Sequence, residues 1–175
     1  MSENATSSST TTGLATTGLI MRLATRDDVS AIRALLGDDK LGQSREDMSD
    51  KGLEKYLAAF DAINNSPDNQ LWVAQDASIS DTGETGAIVG TWQVTYIPYL
   101  SRGGNLRCLI EAVRTASNRR GEGIGRKMME FALDQARQRD CLLVQLTTDK
   151  TRLDAHRFYK NMGFVATHEG MKIQL

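Results

Sequence analysis

A glycine-rich turn between a strand pattern and a helix pattern is the feature that most constrains the fold of this 175-residue chain. Residues 106–115 are rich in branched and apolar side chains, which is typical of a partly buried strand. Residues 120–125 follow, with glycine at every second position from 121. Apolar residues then recur at the spacing of one helix face: Ile124, Met128, Phe131, Ala132 and Ala136. The chain is therefore predicted to run from a strand through a glycine turn directly into a helix.

The glycine turn has the composition of a site for a phosphate anion. The first N–H groups of a helix have no partner within it, and the helix dipole places about half a positive charge there. Glycine at positions 121, 123 and 125 leaves the backbone accessible, while Arg120 and Arg126 add positive charge. A flexible turn that binds nothing is the alternative. Two other phosphate loops do not fit, because G-x-G-x-x-G requires glycine at position 126 and no Gly-Lys-Ser/Thr occurs.

A second motif lies downstream of the turn. Residues 141–148 have the composition of another strand, and residues 155–164 follow the pattern A-x-x-F-Y-x-x-x-G-F. Together with the spacing R-x-x-G-x-G at 120–125, this resembles the GNAT superfamily of acetyl-CoA-dependent N-acetyltransferases, whose turn signature is R/Q-x-x-G-x-G/A. The resemblance extends over about residues 19–175. Many relatives have asparagine three residues before the alanine, where this chain has Arg152.

The resemblance implies an α/β (mixed α+β) domain with the GNAT acyltransferase fold, in which a central, mostly antiparallel and splayed sheet is flanked by helices. Hydrophobic patterns favour strands at 19–24, 71–74 and 87–96, the last two forming a hairpin, and one or two short strands are expected within 164–175. Two further helices are expected, one opened by the capping-box pattern Thr25-x-x-Asp28 and one carrying the apolar positions of 53–63.

One domain is expected after a short tail. Residues 1–17 contain ten serines or threonines and a single charged residue, so a flexible low-complexity tail is predicted there. Residues 18–175 then form a single N-acetyltransferase domain, a length that can bury a sizeable core.

Composition argues against several other classes of protein. The formal net charge of −1 and the pI of about 6.1 give no basic surface for nucleic acid or anionic lipid. No apolar run reaches membrane-spanning length and no signal peptide is recognisable, so a cytoplasmic protein is expected. Cys108 and Cys141 lie within apolar strand patterns as small hydrophobes, and with His156 and His168 they form no metal-ligand spacing, so no metal is expected.

The resemblance also implies how acetyl-CoA, the co-substrate, would be bound. In the family the strand before the glycine turn separates from the next strand, and the pantetheine arm pairs with the main chain that this exposes. A main-chain N–H near Val113 would face the thioester oxygen and stabilise negative charge on it. The residues implied to contact acetyl-CoA, mostly through main-chain atoms, are Val113, Arg114, Thr115, Arg120, Gly121, Glu122, Gly123, Ile124, Gly125, Arg126, Arg152 and Phe158.

Two side chains are implied as catalytic residues. Glu111 lies on the strand where relatives often have an acidic residue near the acetyl group, which makes it the candidate base; an ordinary exposed or ion-paired strand residue is the alternative. Tyr159 occupies the position of a family tyrosine near the departing sulfur, which makes it the candidate acid. Core packing also explains Tyr159, because Ala155, Phe158, Tyr159 and Met162 form one helix face.

The function implied is transfer of acetyl from acetyl-CoA to a primary amine by direct attack in a ternary complex. A non-catalytic acyl-CoA-binding sensor or assembly subunit and a nucleotide-phosphate binder of another fold are the alternatives. The acceptor, a small-molecule or peptide amine, is left open by the sequence; its pocket is expected from residues 37–65 and 93–105. Trp92, Gln93 and Tyr96 are either pocket or core residues, and a homodimer is common in the family.

Overall fold

The structure, a computed structural model, describes residues 15–16, 18–39, 42–77 and 86–175. Its helices are α1 (Val29–Gly37), α2 (Asp50–Asn64), α3 (Ser101–Gly104), α4 (Ile124–Gln138) and α5 (Leu153–Asn161), with short 3-10 turns at Arg26–Asp28 and Ser117–Arg119. Its strands are β1 (Ala15–Thr16), β2 (Leu19–Leu23), β3 (Asn69–Asp76), β4 (Ile88–Tyr99), β5 (Asn105–Thr115) and β6 (Cys141–Leu146). The tail predicted at 1–17 lies almost entirely outside the described residues.

The strands form one sheet in the order β1-β2-β3-β4-β5-β6. Every neighbouring pair is antiparallel except β5 and β6, which are parallel and are connected through α4. The predicted hairpin is confirmed, since β3 pairs with β4 and Trp72 lies opposite Trp92. A parallel pair needs a long crossover, and α4 supplies it. The predicted mixed, mostly antiparallel sheet is therefore present.

Helices cover both faces of the sheet. On one face α4 packs its buried side chains against Trp72, Trp92 and Ile110. On the other face α1 and α2 pack against Val73. Alternation along β4 decides which residues point where: Trp92 and Tyr96 are fully buried on the α4 face, so they are core residues, whereas Gln93 points to the opposite face.

Glycine at position 90 allows α4 to lie close to the sheet. A Cβ atom at Gly90 would stand 2.5 Å from the sulfur of Met128 and 3.3 Å from the Cβ of Ala74. The first distance is too short for two non-bonded atoms, so any larger residue would displace the methionine. Met128 itself is completely buried.

Local sequence signals position α1 and α2. The Asp28 carboxylate accepts a hydrogen bond from the main-chain N–H of Thr25 at 2.7 Å, as the capping pattern predicts, and also binds Arg22 at 2.6 Å. Ser49 Oγ accepts from the N–H of Gly52 at 3.0 Å and caps α2.

The strand prediction for residues 164–175 is wrong. No strand is present there, although β6 is at the edge of the sheet. The chain leaves α5 through Gly163 with φ of +92° and passes the end of β6, where Lys150 Nζ lies 3.1 Å from Glu169 Oε1. Val165, Met171 and Ile173 are exposed, so the apolar alternation of this segment is not matched by a partner strand among the described residues.

Candidate active site

The two edges of β5 are paired over different lengths. Its pairing with β4 runs from Asn105 to Thr115. Its pairing with β6 covers only Leu106 to Ile110, because β6 ends at Leu146, the residue opposite Ile110. Residues 111–115 therefore have no strand partner on that side within the described chain. Apart from the carbonyl oxygen of Val113, which accepts a hydrogen bond from Arg114 Nη1 at 2.9 Å, their main-chain groups form an open edge, to which an extended molecule can add hydrogen bonds as a strand would.

A β-bulge lies at the start of this open edge. Gln93 pairs with Glu111 and Thr91 pairs with Arg114, so two residues of β5, Ala112 and Val113, stand opposite one residue of β4. Ala112 has a φ of +52°, in the left-handed region that alanine rarely occupies. A bulge turns the main-chain groups that follow it, and conformations of this kind concentrate at functional sites.

The glycine turn is open on the side where an anion would bind. Gly121 and Gly123 have φ of +88° and +77°, and α4 begins directly after Gly123. A Cβ atom at either position would have no neighbour within 4 Å. No acceptor in the described residues takes a hydrogen bond from the N–H groups of 121–126. Free N–H groups at a helix N-terminus, beside unfilled space, are the donor set that a diphosphate requires.

One side of the glycine turn packs close to β5 and α5, at Gly125. A Cβ atom at Gly125 would lie 3.6 Å from Thr115 Oγ1 and 3.7 Å from Phe158 Cζ, which are ordinary contact distances. Phe158 belongs to α5, and its ring packs edge-on against Tyr159 with 5.1 Å between centroids. The glycine turn, the end of β5 and α5 therefore meet at one place.

The acidic residue of the turn is neutralised within the protein. Both oxygens of Glu122 lie 2.8 Å from Arg119 Nε, and Arg119 also binds Asp76 at 2.8 Å. Arg120 is exposed, as is Arg126, which makes only a 3.5 Å contact with Glu130. The surroundings of the free N–H groups therefore remain suited to a negative ligand.

The segment after α1 is tied to the site by two aspartates. Asp38 accepts hydrogen bonds from Ser117, at 2.8 Å from its main-chain N–H and 3.1 Å from its hydroxyl. Asp39 accepts from Arg152 and lies 3.7 Å from Arg114. Burial acts to raise the pKa of Asp39, but the hydrogen bond from Arg152 and the nearby positive charges outweigh it, so this pKa is lowered.

Arg114 and Arg152 thus share one carboxylate. Burial and the charge of Arg152 lower the pKa of Arg114, and its Nε is buried without a hydrogen-bond partner in the described part of the chain. Arg152 is half-buried and bound to Asp39, so in this conformation its guanidinium is held at the protein rather than extended toward a phosphate. The implied contact of Arg152 with the coenzyme stays a prediction.

Tyr159 is partly buried beside these arginines. Burial raises the pKa of its hydroxyl, and the charges of Arg114 and Arg152 partly offset the increase, so the group keeps its proton at neutral pH. Its ring packs against Phe158 and Phe164. Within the described part of the chain the hydroxyl makes no hydrogen bond, so it is available to a ligand.

Glu111 is exposed and lies at the beginning of the open edge, opposite Gln93. Ala112 separates it from Val113, the predicted oxyanion donor, and both belong to the bulge. The other reactive groups are occupied or inert: His156 Nε2 lies 3.0 Å from the carbonyl oxygen of Asp149, and burial raises the pKa of the Cys108 thiol to about 12. Glu111 lies on β5 and Tyr159 lies on α5, the two elements that meet at the glycine turn.

Comparison with known proteins decides the family. The profile described as Acetyltransferase (GNAT) family matches residues 31–164, well over half of the chain. The chain belongs to the GNAT family of acetyltransferases. The predicted family, fold and enzyme class are thereby confirmed.

Three similar proteins place this GNAT acetyltransferase among its relatives. A crystal structure described as a transcriptional regulator from Bacillus halodurans C-125 is 41% identical, with a TM-score of 0.81 over 90% of this chain and 99% of its own. Streptothricin acetyltransferase from Streptomyces lavendulae is 28% identical over 87% of this chain and 71% of that relative. Aminoalkylphosphonate N-acetyltransferase from Salmonella typhimurium is 41% identical, but over only 28% of this chain and 32% of its own length.

Sequence reasoning located the GNAT turn and strand but missed Asp38, Asp39 and the bulge at Ala112. The two aspartates lie in a polar segment with no motif, and Asp39 is 113 residues from Arg152, so no local signal could have found the contact. Among the described residues no cluster of three His, Cys, Asp or Glu side chains is arranged to hold a metal ion. No helix of the described ranges is long and apolar enough to span a membrane.

Proposed function

We propose that this acetyltransferase transfers the acetyl group of acetyl-CoA to a primary amine by direct attack in a ternary complex. The observation that carries the proposal is the open edge of β5 beside the free N–H groups of the glycine turn. The two features fit the two parts of the coenzyme, since an amide-bearing arm pairs with an open edge and a diphosphate binds helix N–H groups.

The binding residues follow from this fit. Val113, Arg114 and Thr115 hold the pantetheine arm through main-chain atoms, and the N–H groups of 121–126 hold the diphosphate. Bound acetyl-CoA supplies a thioester whose carbonyl carbon an amine can attack. The N–H of Val113, turned by the bulge, donates to the carbonyl oxygen as negative charge develops there.

Two proton movements complete the reaction. Glu111 accepts the proton that the attacking nitrogen loses, directly or through a water molecule, which contributes on the order of 10² to 10⁴ in rate. The Tyr159 hydroxyl, which burial keeps protonated, donates to the sulfur as the carbon–sulfur bond breaks. Amide and free thiol are the products, and each catalytic group is restored by exchange with water.

A sensor that binds an acyl-CoA without turnover is the second candidate. One observation favours it: the similar Bacillus halodurans protein is described as a transcriptional regulator. The presence of both Glu111 and Tyr159 favours catalysis, because a binder needs only the turn and the open edge.

Thiol release from acetyl-CoA, measured across a panel of primary amines, tests the proposal. We expect release that depends on one or more amines and saturates with acetyl-CoA. Tight binding of CoA by calorimetry together with no release above the hydrolysis rate for any amine would instead establish the sensor. Absence of any CoA binding to well-folded protein would overturn both candidates.

A further inference from the structure

An apolar cavity of about 170 Å³ lies between the sheet and the layer formed by α1 and α2. Ile32 and Leu36 of α1 and Tyr56 and Phe60 of α2 line its outer wall, and Ala112 of β5 lines one end. The cavity therefore extends from beneath the helices to the bulge.

The cavity reaches the place where an acceptor must arrive. Ala112 lies between Glu111, the proposed base, and Val113, the proposed oxyanion donor, and it is exposed. Gln93, which pairs with Glu111, also lines the cavity. A second cavity, of about 160 Å³, shares Phe60, Ile63 and Leu71 with the first, but no described residue of β4 or β5 lines it.

Two of the polar groups at the cavity wall are hydrogen-bonded within the protein, whereas the amide of Gln93, near the bulge, makes only a 3.5 Å contact from Nε2 to Asn69 Oδ1. Thr91 Oγ1 donates to the carbonyl oxygen of Trp72 at 3.0 Å, and the Tyr56 hydroxyl donates to Glu46. Among the described residues, no charged side chain lines the cavity. A phosphate, a carboxylate or a sugar ring would lose most of its hydrogen bonds to water there, with only the Gln93 amide to replace them, which is unfavourable.

The size of the cavity selects among apolar groups. An apolar protein cavity of about 150 Å³ lined by Leu, Ile and Phe is large enough to bind benzene. Transfer of such a group from water into an apolar space is favourable in proportion to the area removed from water. The cavity of this protein can therefore take one six-membered ring or a branched aliphatic group of similar size.

We propose that the acceptor is a primary amine bearing a single aromatic ring or a branched aliphatic group on a linker of one or two carbons. The apolar group fills the cavity, and the amine points past Gln93 toward the bulge. A short linker suffices because Ala112 lines the cavity and adjoins both Glu111 and Val113. This inference rests on the proposed acetyl transfer, whose site it completes.

The first test compares amines with wild-type protein. We expect kcat/KM for phenethylamine and isoamylamine to exceed that for ethylamine by at least about 100-fold, since one methylene in an apolar pocket is worth roughly 10- to 200-fold. Spermidine, 2-aminoethylphosphonate and glucosamine 6-phosphate should be poorer than phenethylamine. A polar amine that equals or surpasses phenethylamine overturns the acceptor class while leaving acetyl transfer intact.

A binding measurement separates the two proposals. Phenethylamine titrated into protein saturated with CoA should bind with a negative heat-capacity change, the mark of apolar burial, whether or not thiol is released. If no amine causes thiol release, acetyl transfer is overturned, whereas the cavity assignment is not. Absence of phenethylamine binding would overturn the cavity assignment.

A matched pair of variants tests the cavity itself. Ala58 and Ala59 are neighbouring exposed residues of α2, and only Ala59 lines the cavity. Ala59→Phe should raise KM for phenethylamine by at least about tenfold and leave KM for ethylamine unchanged, whereas Ala58→Phe should change neither. Leu36→Ala, which enlarges the cavity, should shift preference toward a bicyclic amine. Equal effects of the two phenylalanine variants would refute the proposal.

Discussion

The two halves of β5 have the same backbone direction and the same neighbour, β4, but opposite roles. From Leu106 to Ile110 the strand is paired on both sides and its side chains include the buried Cys108 and Ile110. From Glu111 to Thr115 it is paired on one side, bulged, and mostly exposed or half-buried. The boundary between them is set by where β6 ends. One continuous strand thus has a half that is paired on both sides and a half whose second edge is open.

The two halves of β5 meet between Ile110 and Glu111, and Glu111→Gln tests the proposed catalytic role of the open half. We expect kcat to fall by about 10²- to 10⁴-fold, because the acceptor nitrogen loses its base. Stability should change by less than about 0.5 kcal/mol, because the side chain is exposed. Steady-state thiol release and urea unfolding measure the two quantities.

Glu130→Gln is the control for this loss, since Glu130 is an exposed acid with only a weak surface pair on α4. It should retain wild-type kcat. A Glu111→Gln enzyme with kcat within about threefold of wild type would remove Glu111 from the mechanism.

Ile110→Ala tests the structural side of the same boundary. Ile110 is 1% exposed, so truncation should lower the free energy of unfolding by about 2–5 kcal/mol through lost burial and the cavity left behind. If Ile110→Ala folds, its kcat should be close to that of the wild type. Urea denaturation measures the first effect; a stability loss below about 1 kcal/mol would mean that the paired half of β5 is not a support.

Gly123→Ala tests the turn that faces the open half. The Cβ atom would enter the space proposed for the diphosphate, and the positive φ adds about 1–2 kcal/mol of strain that shifts the neighbouring N–H groups. We expect the Kd of CoA to rise by about 30-fold, measured by calorimetry. Gly104→Ala is the control: Gly104 also has a positive φ, +73°, and open space around it, but it lies at the other end of β5, so affinity should stay within about threefold.

Tyr159→Phe probes the residue of α5 that lies beside the open half. We expect kcat to fall about tenfold, less than for the base, because a thiolate is a good leaving group. Burial raises the pKa of Tyr159 above its ordinary value of 10.0, so its proton is lost only at higher pH. The wild-type rate should fall in that alkaline range, and the variant should lack this decrease. An unchanged kcat would assign Tyr159 to packing.

Asp39→Asn gives the smallest expected effect. The folded protein holds the pKa of Asp39 below its ordinary value of 3.8, so the carboxylate stabilises the fold above that pH and loses this contribution as pH falls through the lowered pKa. At pH 6 the variant should be less stable by under about 1 kcal/mol, because the ion pairs are partly exposed. Unfolding curves of the two proteins should converge as the pH falls below 3.8 and through the lowered pKa of Asp39.

The sequence predicted the order of elements around the site because those signals are local. Hydrophobic periodicity fixes β5 and α4, and the glycines between them mark the turn; the bounds observed differ from the predicted ones by one residue at most for β5. The family resemblance then gave the fold and enzyme class. Neither result depends on contacts between distant parts of the chain.

The features that sequence reasoning missed are imposed by distant contacts. Alanine has no preference for the left-handed region, so the bulge at Ala112 follows from pairing with β4 rather than from its own side chain. The apolar alternation at 171–175 suits a strand, yet no partner lies beside it in the described ranges. The acceptor cavity likewise combines α1, α2 and three strands that share no motif.

The glycine at position 90 influences how α4 is positioned relative to β5, the two elements of the proposed coenzyme site. Gly90 pairs with Thr115, the last residue of the open half of β5, and it receives Met128 one turn inside α4. How closely the Met128 sulfur approaches Gly90 influences the distance between α4 and the sheet. It thereby influences the distance between the N–H groups proposed for the diphosphate and the open edge of β5 proposed for the pantetheine arm. We therefore expect a larger residue at position 90 to displace α4, together with the N–H groups at its start, relative to β5.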